Sequence, residues 1–365
     1  MATISLRKNT ITQLRNEQGT WIQDHEGKAG IIWNAFRNRM GVTEEPTMLY
    51  NLASLFTRHE DLSYLVEPFT HEEIDNIVRR MPVDKAPGPD DFNGLFLKKC
   101  WHIIKEDFYR LCDTFFGGDI NLESVNSSII TLVPKHNSPE SVNDFRPISL
   151  LNSSLKLLTK ILADRLQQVI LQLIHRYQYG FIRSRTIQDC LAWCFEFIHQ
   201  CHQSRREIVI LKLDFEKAFD TVEHNTILSL MQHMGILSVM QHMGFPDTWI
   251  HCIRLIFSSG TLAVLLNGVP VKKICCKRGA RQGDPLSPLL FVLAADLLQA
   301  IINKAASLGL LRRPAPQPGE EFPIIQYADD TLLILEADAM QLFFLKGILQ
   351  SFSQSTGLKV NYQKS

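Results

Sequence analysis

A mixed fold of helices and antiparallel strands is what this sequence predicts, on three observations. Amphipathic helical patterns recur along the chain. Short aliphatic and β-branched runs bounded by turn residues lie between them, and two of these runs fold back as hairpins. The 365 residues set a prior of two domains or one large one. Apolar residues make up 45% and charged residues 21%, which excludes wholesale disorder, collagen and a small disulfide scaffold. Lys plus Arg and Asp plus Glu each number 38, so the net charge is zero. Any polyanion site must then be a local basic patch and not a global field, and solubility should be modest.

The elements follow in order. Residues 1–50 form a polar lead-in, turn-rich over Asn16–Gly27, with a helical pattern over Ile31–Met40 and no core of its own. Thr70-His-Glu-Glu before Ile74, Ile77, Val78 and Met81 is a capping box opening a helix. Val83–Asp91 (VDKAPGPDD) is held irregular by its prolines and glycine, and on these residues alone reads as a plain inter-helix loop. An amphipathic helix follows over roughly Phe92–Phe116. Ser127–Pro134 reads as a strand, Ile148–Leu173 as a long helix, and Ile208–Leu213 as a nearly continuous apolar strand, hence central, with Asp214 at its carboxyl end. Leu262–Leu266 with Asn267-Gly268 predicts a hairpin. Ile324–Tyr327 and Thr331–Leu335 predict a second, with Asp329 and Asp330 at its tip. Pro285–Ile302, interrupted by Asp296, reads as a core helix and not a membrane span. Gly309–Glu321 reads as a surface loop. The amino terminus carries no apolar secretory core.

The eight cysteines include no Cys-x-x-Cys pair, so free thiols in a reducing compartment fit better than structural zinc. Cys190 and Cys194, near Trp193 and Phe197, read as small buried hydrophobes. One repeat stands out: Ile227–Gly235 is ILSLMQHMG and Ile236–Gly244 is ILSVMQHMG. Nine residues turn a helix by about 900°, so the copies would face opposite ways, about 13 Å apart. The pattern is that of a tandem duplication and not of two equivalent binding faces.

Three groups of residues carry chemistry. Asp214, Asp329 and Asp330 are carboxylates at strand ends among apolar residues, a costly setting unless they are paired or bound to a metal. Adjacent aspartates repel, so such a turn calls for a cation or a proton. Mg²⁺ suits a few carboxylates plus substrate phosphates. Equally, an Asp-Asp dipeptide is ordinary turn chemistry. Lys272, Lys273, Lys277, Arg278 and Arg281 form a basic run before Gln282-Gly283-Asp284-Pro285. That arrangement suits phosphate approach at a helix start or a solvated basic loop. Arg183 and Arg185 form a second basic element, and Lys135 and Arg146 flank a third.

Taken in order, KAPGPD (85–90), ITLVPK (130–135), FRPISLLN (145–152), QYGFIRSRTIQDC (178–190), Asp214-x-x-x-x-Phe219, RQGDPLSP (281–288), YADD (327–330) and GLKVNYQKS (357–365) resemble the reverse transcriptases of non-LTR, LINE-type retrotransposons, specifically plant elements. The resemblance runs from about Phe69 to Ser365. It implies an α+β right-hand polymerase: a connector over 1–68, fingers over 69–206, and a palm over 207–365 whose antiparallel sheet packs on helices. The thumb and the N-terminal endonuclease would lie outside the sequence, as for a chain truncated at both ends.

It further implies an RNA-directed DNA polymerase, a nucleotidyltransferase that copies an RNA template from a DNA primer with dNTPs. Asp214, Asp329 and Asp330 would be catalytic and would hold two Mg²⁺ ions, or Mn²⁺ in their place, with the backbone carbonyl of Phe215. Phe219 would exclude a ribose 2′-OH. Gln282 and Gly283 would pack on the nascent base pair, and Lys135 and Arg146 would contact triphosphate oxygens. Lys364 would serve the pyrophosphate leaving group. Arg183, Arg185, Lys277, Arg278 and Arg281 would face nucleic acid. Asp220 would be structural. By family analogy the location is intracellular, nuclear or cytoplasmic, with no membrane partner.

Two departures stand out. Asp91 occupies a position that is glycine in the family pattern, where φ > 0 is expected. The duplicated nonapeptide follows the Asp214 motif, where the family has one copy. A catalytically silent fragment that at most binds RNA is the competing reading. If the duplication burdens the fold, deleting Ile236–Gly244 raises the thermal midpoint, and an unchanged or lower midpoint in a melting experiment would refute that burden.

Overall fold

The computed structural model describes residues 10–43, 48, 50–55, 62–221, 223, 246–315 and 321–365; the nonapeptide repeat at 227–244 lies outside them. The chain divides into two compact units that interleave along the sequence. One comprises residues 1–43, 67–162 and 251–287, the other 44–66, 163–250 and 288–365. The linear order of connector, fingers and palm therefore does not coincide with the two units.

In the first unit a two-residue hairpin, β1 (Leu14–Arg15) and β2 (Trp21–Ile22), leads into α1 (His25–Met40). Helix α1 begins six residues before the predicted Ile31. Asp24 caps it by accepting from the Gly27 amide at 2.6 Å, a start hidden in what reads as turn residues. Helix α2 (His71–Arg80) starts as predicted, with the Thr70 hydroxyl accepting from the Glu73 amide. Helix α3 (Gly94–Gly117) is capped by Asn93 and ends at Gly118 with φ 83°. Strand β3 (Ser127–Pro134) has the predicted bounds.

Residues 148–151 are not helical. They end strand β4 (Phe145–Leu151), whose inward and outward residues alternate with period two as it pairs antiparallel with β3. The helix predicted from Ile148 begins only at Ser153, as α4 (Ser153–Leu173). The remaining strands of the unit's five-stranded sheet are β6 (Thr261–Leu266), β7 (Val269–Pro270) and β8 (Ile274–Cys275); β6 runs parallel to β3. The Asn267-Gly268 turn between β6 and β7 takes φ 53° and 88°, the primed geometry that closes a two-residue hairpin. Ile32, Phe36 and Met40 of α1 share one core with Ile130 and Leu132 of β3 and with Leu262, Val264 and Leu266 of β6. The polar lead-in thus has no core of its own but completes that of the sheet.

In the second unit α5 (Ile187–Gln203), capped by Thr186 and Asp189, packs over a three-stranded antiparallel sheet. Its strands are β5 (Ile208–Leu213), β9 (Ile324–Tyr327) and β10 (Asp330–Glu336), in the order β5-β10-β9. The short helix α6 (Ala218–Thr221) follows β5. Strand β5 was expected to be central; among the described residues it is an edge, with Ile210 44% exposed, and β10 is central with Leu333, Ile334 and Leu335 fully buried. Apolar content alone does not separate the two. Helix α7 (Asp247–Ser258) spans residues of both units. Helix α8 (Ser287–Ser307) is long and apolar enough to cross a membrane, yet 83% of that stretch is buried inside the protein, as expected of a core helix. Helix α9 (Ala339–Thr356) ends at Gly357 with φ 79°. All eight cysteines are free thiols, and Cys190 packs with Phe197 beside Trp193.

The one acid inside α8, Asp296, is fully buried and accepts from His175 twice, at the backbone amide (3.2 Å) and the Nδ1 ring nitrogen (2.8 Å). The Asn303 side chain lies 3.2 Å from the other ring nitrogen. Burial disfavours the imidazolium, but the charge and hydrogen bond of Asp296, helped by Glu321, outweigh burial and the opposing Arg185 and raise the pKa of His175 above 6.5. Stability from this pair is therefore full below 6.5 and is lost as pH rises through the raised value. The melting-temperature gap between wild type and His175→Gln should be wide at about pH 6 and narrow towards about pH 9. A gap independent of pH would show that the pair carries no charge.

Candidate active site

The β9–β10 hairpin places two of the three candidate carboxylates. Asp330 pairs with Tyr327, so the two-residue connection is Ala328-Asp329 and Asp330 is the first residue of β10. The pair thus straddles the turn and the strand instead of sharing the tip. Ala328 adopts φ 59°, a left-handed conformation uncommon for a residue with a Cβ. Asp214 directly follows β5, and β5 pairs with β10 in the register Leu213 to Thr331. Two adjacent antiparallel strands therefore present all three aspartates at one end of the sheet.

Their electrostatics are strained. Burial lifts the Asp329 carboxyl above the usual carboxylate range. The charges of Asp330 and Asp214 lift it further, and its own backbone amide and Lys212 oppose them only partly. The Lys212 ammonium sits 3.1 Å from Asp330 Oδ1, and this bond raises the lysine's pKa. Both side chains are 65% exposed, so the pair steers more than it stabilises. Hard oxygen donors with surplus negative charge fit a divalent cation such as Mg²⁺. Among the described residues no three His, Cys, Asp or Glu side chains are already gathered to hold an ion; Lys212 is the cation beside the cluster.

The chain end backs this site. Asn361 donates to the Asp214 carbonyl (2.8 Å), Glu216 donates to the Lys359 carbonyl (2.8 Å), and Phe215 bridges antiparallel to Val360. The carbonyl of Phe215 stays outside this pairing, while its ring is buried near Phe352. Lys364 is exposed, in the turn that follows Asn361. Phe219 is held by a stacked contact with Phe291 at 4.5 Å and an edge contact with Phe181 at 6.0 Å. Asp220 is buried, as a structural residue would be.

The first unit holds Gln282, Gly283, Lys135 and Arg146. The Gln282 carbonyl accepts from the Ser149 amide at 2.7 Å. Gly283 has φ 110°, and a Cβ there would lie 2.6 Å from the Ser149 carbonyl oxygen, so only glycine fits. Asp284 then caps the start of α8 through the Leu286 amide and the Ser287 hydroxyl. Lys135 and Arg146, on the paired strands β3 and β4 and just beyond, are both exposed; Lys135 Nζ reaches the Asn143 carbonyl at 2.8 Å.

The five basic residues expected to face nucleic acid divide sharply. Lys277 is exposed. Arg278 is buried and donates to the carbonyls of Arg39 and Asn38, closing the carboxyl end of α1, where a cation is favoured. Arg281 is buried and donates to Asn126 Oδ1 at 2.5 Å. Arg185 is half-buried and donates to the carbonyls of His175 (2.7 Å) and Gln178 (2.5 Å). Arg183 pairs with Asp164. The expectation for Arg185, Arg278 and Arg281 is thus corrected: their guanidinium groups serve the protein's own carbonyls. The reason is that a basic run reads the same whether it meets solvent or a distant helix end.

Two residues gained a place that motif reading missed. Lys212 lies two positions before Asp214, and period-two alternation of a strand would have put both on one side. Asp90, within KAPGPD, binds the amide and hydroxyl of Ser153, each at 2.6 Å, and so starts α4. A Cβ on Gly88 would lie 2.2 Å from the Leu151 carbonyl oxygen, which fixes that loop against β4. Asp91 takes φ 57°, the left-handed value expected of the position.

Comparison with known proteins places this geometry. The chain is 27% identical over 302 residues to the transposon TX1 149 kDa protein of Xenopus laevis, covering 82% of this chain and 22% of that protein. It is 30% identical over 237 residues to the Pol polyprotein of the R2 retrotransposable element of Popillia japonica, covering 64% of this chain and 31% of that protein. To the RNA-directed DNA polymerase from mobile element jockey of Drosophila melanogaster it is 22% identical over 375 residues, covering 96% and 37%. The chain thus spans about a fifth to two fifths of the length of these relatives. Residues 133–365, which carry all three aspartates, match the reverse transcriptase (RNA-dependent DNA polymerase) family, and the chain belongs to that family.

Proposed function

We propose that the chain is the polymerase region of a LINE-type, non-LTR retrotransposon of plant origin, and that it extends a DNA primer on an RNA template. The observation that carries this reading is the convergence of Asp214, Asp329 and Asp330 at one end of β5 and β10, where burial and the charges of its two neighbours disfavour the ionised Asp329 carboxyl. These carboxylates, with the Phe215 carbonyl, would hold Mg²⁺ or Mn²⁺. Bound there, two such ions would activate the primer hydroxyl and stabilise the leaving pyrophosphate. In this reading Phe219 forms the wall beside the sugar, held rigid by Phe291 and Phe181. The backbone of Gln282-Gly283, pinned on Ser149, offers a flat surface to the nascent pair. Exposed Lys135, Arg146 and Lys277 supply positive charge to phosphates, and Lys364 a proton donor to the leaving group. In this reading residues 69–206 form the fingers and 207–365 the palm, after a connector over 1–68.

Primer extension on oligo(dT)-primed poly(rA) tests the proposal. Wild type should incorporate dTTP in Mg²⁺ or Mn²⁺, and Asp329→Asn or Asp214→Asn should reduce incorporation by about a thousandfold or more. The raised pKa of Asp329 means that ionising it costs stability at neutral pH. Asp329→Asn should therefore melt at the same temperature as wild type or higher, as a calorimetric scan will show. Loss of activity with loss of fold would instead mark Asp329 as structural. A folded wild type that incorporates nothing but binds RNA with salt-dependent affinity would support the silent fragment.

A second expectation concerns the sugar wall. Phe219→Ala should raise incorporation of ribonucleotides relative to deoxyribonucleotides by about tenfold or more. An unchanged ratio would remove Phe219 from that role.

A further inference from the structure

We infer that Gln178 is a positioning residue for the catalytic hairpin: its buried side-chain amide holds the Ala328-Asp329 turn, and so sets where Asp329 stands. The inference rests on the polymerase reading of Asp329. Gln178 forms a single parallel bridge with Gln326 of β9. The Gln326 amide donates to the Tyr177 carbonyl (2.9 Å), and the Tyr179 amide to the Gln326 carbonyl (2.7 Å). From this bridge the Gln178 side chain, fully buried, reaches the turn that follows β9. Its Oε1 accepts from the amides of Gly180 (2.9 Å) and Ala328 (3.3 Å), and its Nε2 donates to Gln326 Oε1 (3.4 Å).

Ala328 is the one turn residue with a left-handed backbone in this hairpin, and its amide points into the protein. A non-glycine residue persists in that conformation only when its surroundings over-determine it. Two features do so. Gln178 binds the amide from one side. On the other, a Cβ on Gly180 would lie 2.2 Å from the Ala328 nitrogen and 2.7 Å from its Cα, so the bare glycine backbone sets the turn's depth. Arg185 fastens the clamp from behind through its bond to the Gln178 carbonyl. An unpaired amide at Ala328 would leave Asp329 free to swing by the small distances to which nucleotidyl transfer is sensitive.

Gln178→Met keeps the length and bulk of the side chain and removes both the acceptor and the donor. Primer extension is to be read as a split between kcat and KM for dTTP, with hydrogen exchange followed over residues 327–330 in the same full chain. The expected result is a kcat reduced by about tenfold or more with KM within about twofold, and faster exchange at Ala328 with the rest of the sheet unchanged. Gly180→Ala should give the same signature from the opposite side. Wild-type kcat in Gln178→Met overturns the inference, as does a chain that loses protection throughout β9 and β10 or fails to fold, since the role assigned is local. Should wild type itself be inactive, the polymerase reading fails, yet exchange at Ala328 still decides whether Gln178 holds the turn.

Discussion

Three like charges gathered at the end of two strands are the constraint on which the second unit depends. Left to themselves Asp214, Asp329 and Asp330 would separate, and burial together with the charges of Asp330 and Asp214 lifts the Asp329 carboxyl. What keeps them together is not attraction among them but the stiffness of their supports. The ladder of β5 on β10 fixes the spacing along the strands. The fully buried aliphatic residues of β10 anchor that ladder in the core. The site is thus a small store of electrostatic work, held by hydrophobic packing and backbone hydrogen bonds that lie behind it.

The first unit follows a different rule. Its Gln282-Gly283 candidate rests on main-chain geometry and not on charge. Gly88 and Gly283 both approach β4 so closely that any side chain would collide with a carbonyl, at Leu151 and Ser149 respectively. Two motifs far apart in sequence are therefore read by one strand. Their conspicuous prolines and glycines are the visible trace of that crowding, and the loop that reads as a plain connection in VDKAPGPDD is in fact a fitted part of the sheet's edge.

Much of this was legible in the sequence where local chemistry decides structure. The Thr70 cap, strand β3, the Asn267-Gly268 turn and the hairpin over 324–336 all follow from neighbours a few residues away. The three aspartates were legible because their order and spacing resemble a known set of motifs. What escaped is what long-range packing decides. Residues 148–151 join a helix or a strand according to whether β3 lies beside them. Strand β5 is as apolar as a central strand but lies at an edge among the described residues. Arg278 caps a helix end 239 residues away, which no local pattern announces. Lys212 and Gln178 sat in plain view inside quoted or adjoining motifs, but their roles exist only once β5, β9 and β10 lie side by side.

The pairing of the Asp214 segment with residues 359–361 has a consequence for the order of assembly. The amide of Asp214 also donates to the Ser365 hydroxyl, a contact closed over 151 residues. During synthesis the loop bearing Asp214 would leave the ribosome long before its partners exist, and its pairing would wait until the residues up to Ser365, 151 positions later, are made. Pairings of such high contact order form late and slowly. The backing of Asp214 by residues 359–365 would then be a late step, added to the β5–β10 pairing that already brings the three aspartates to one end of the sheet.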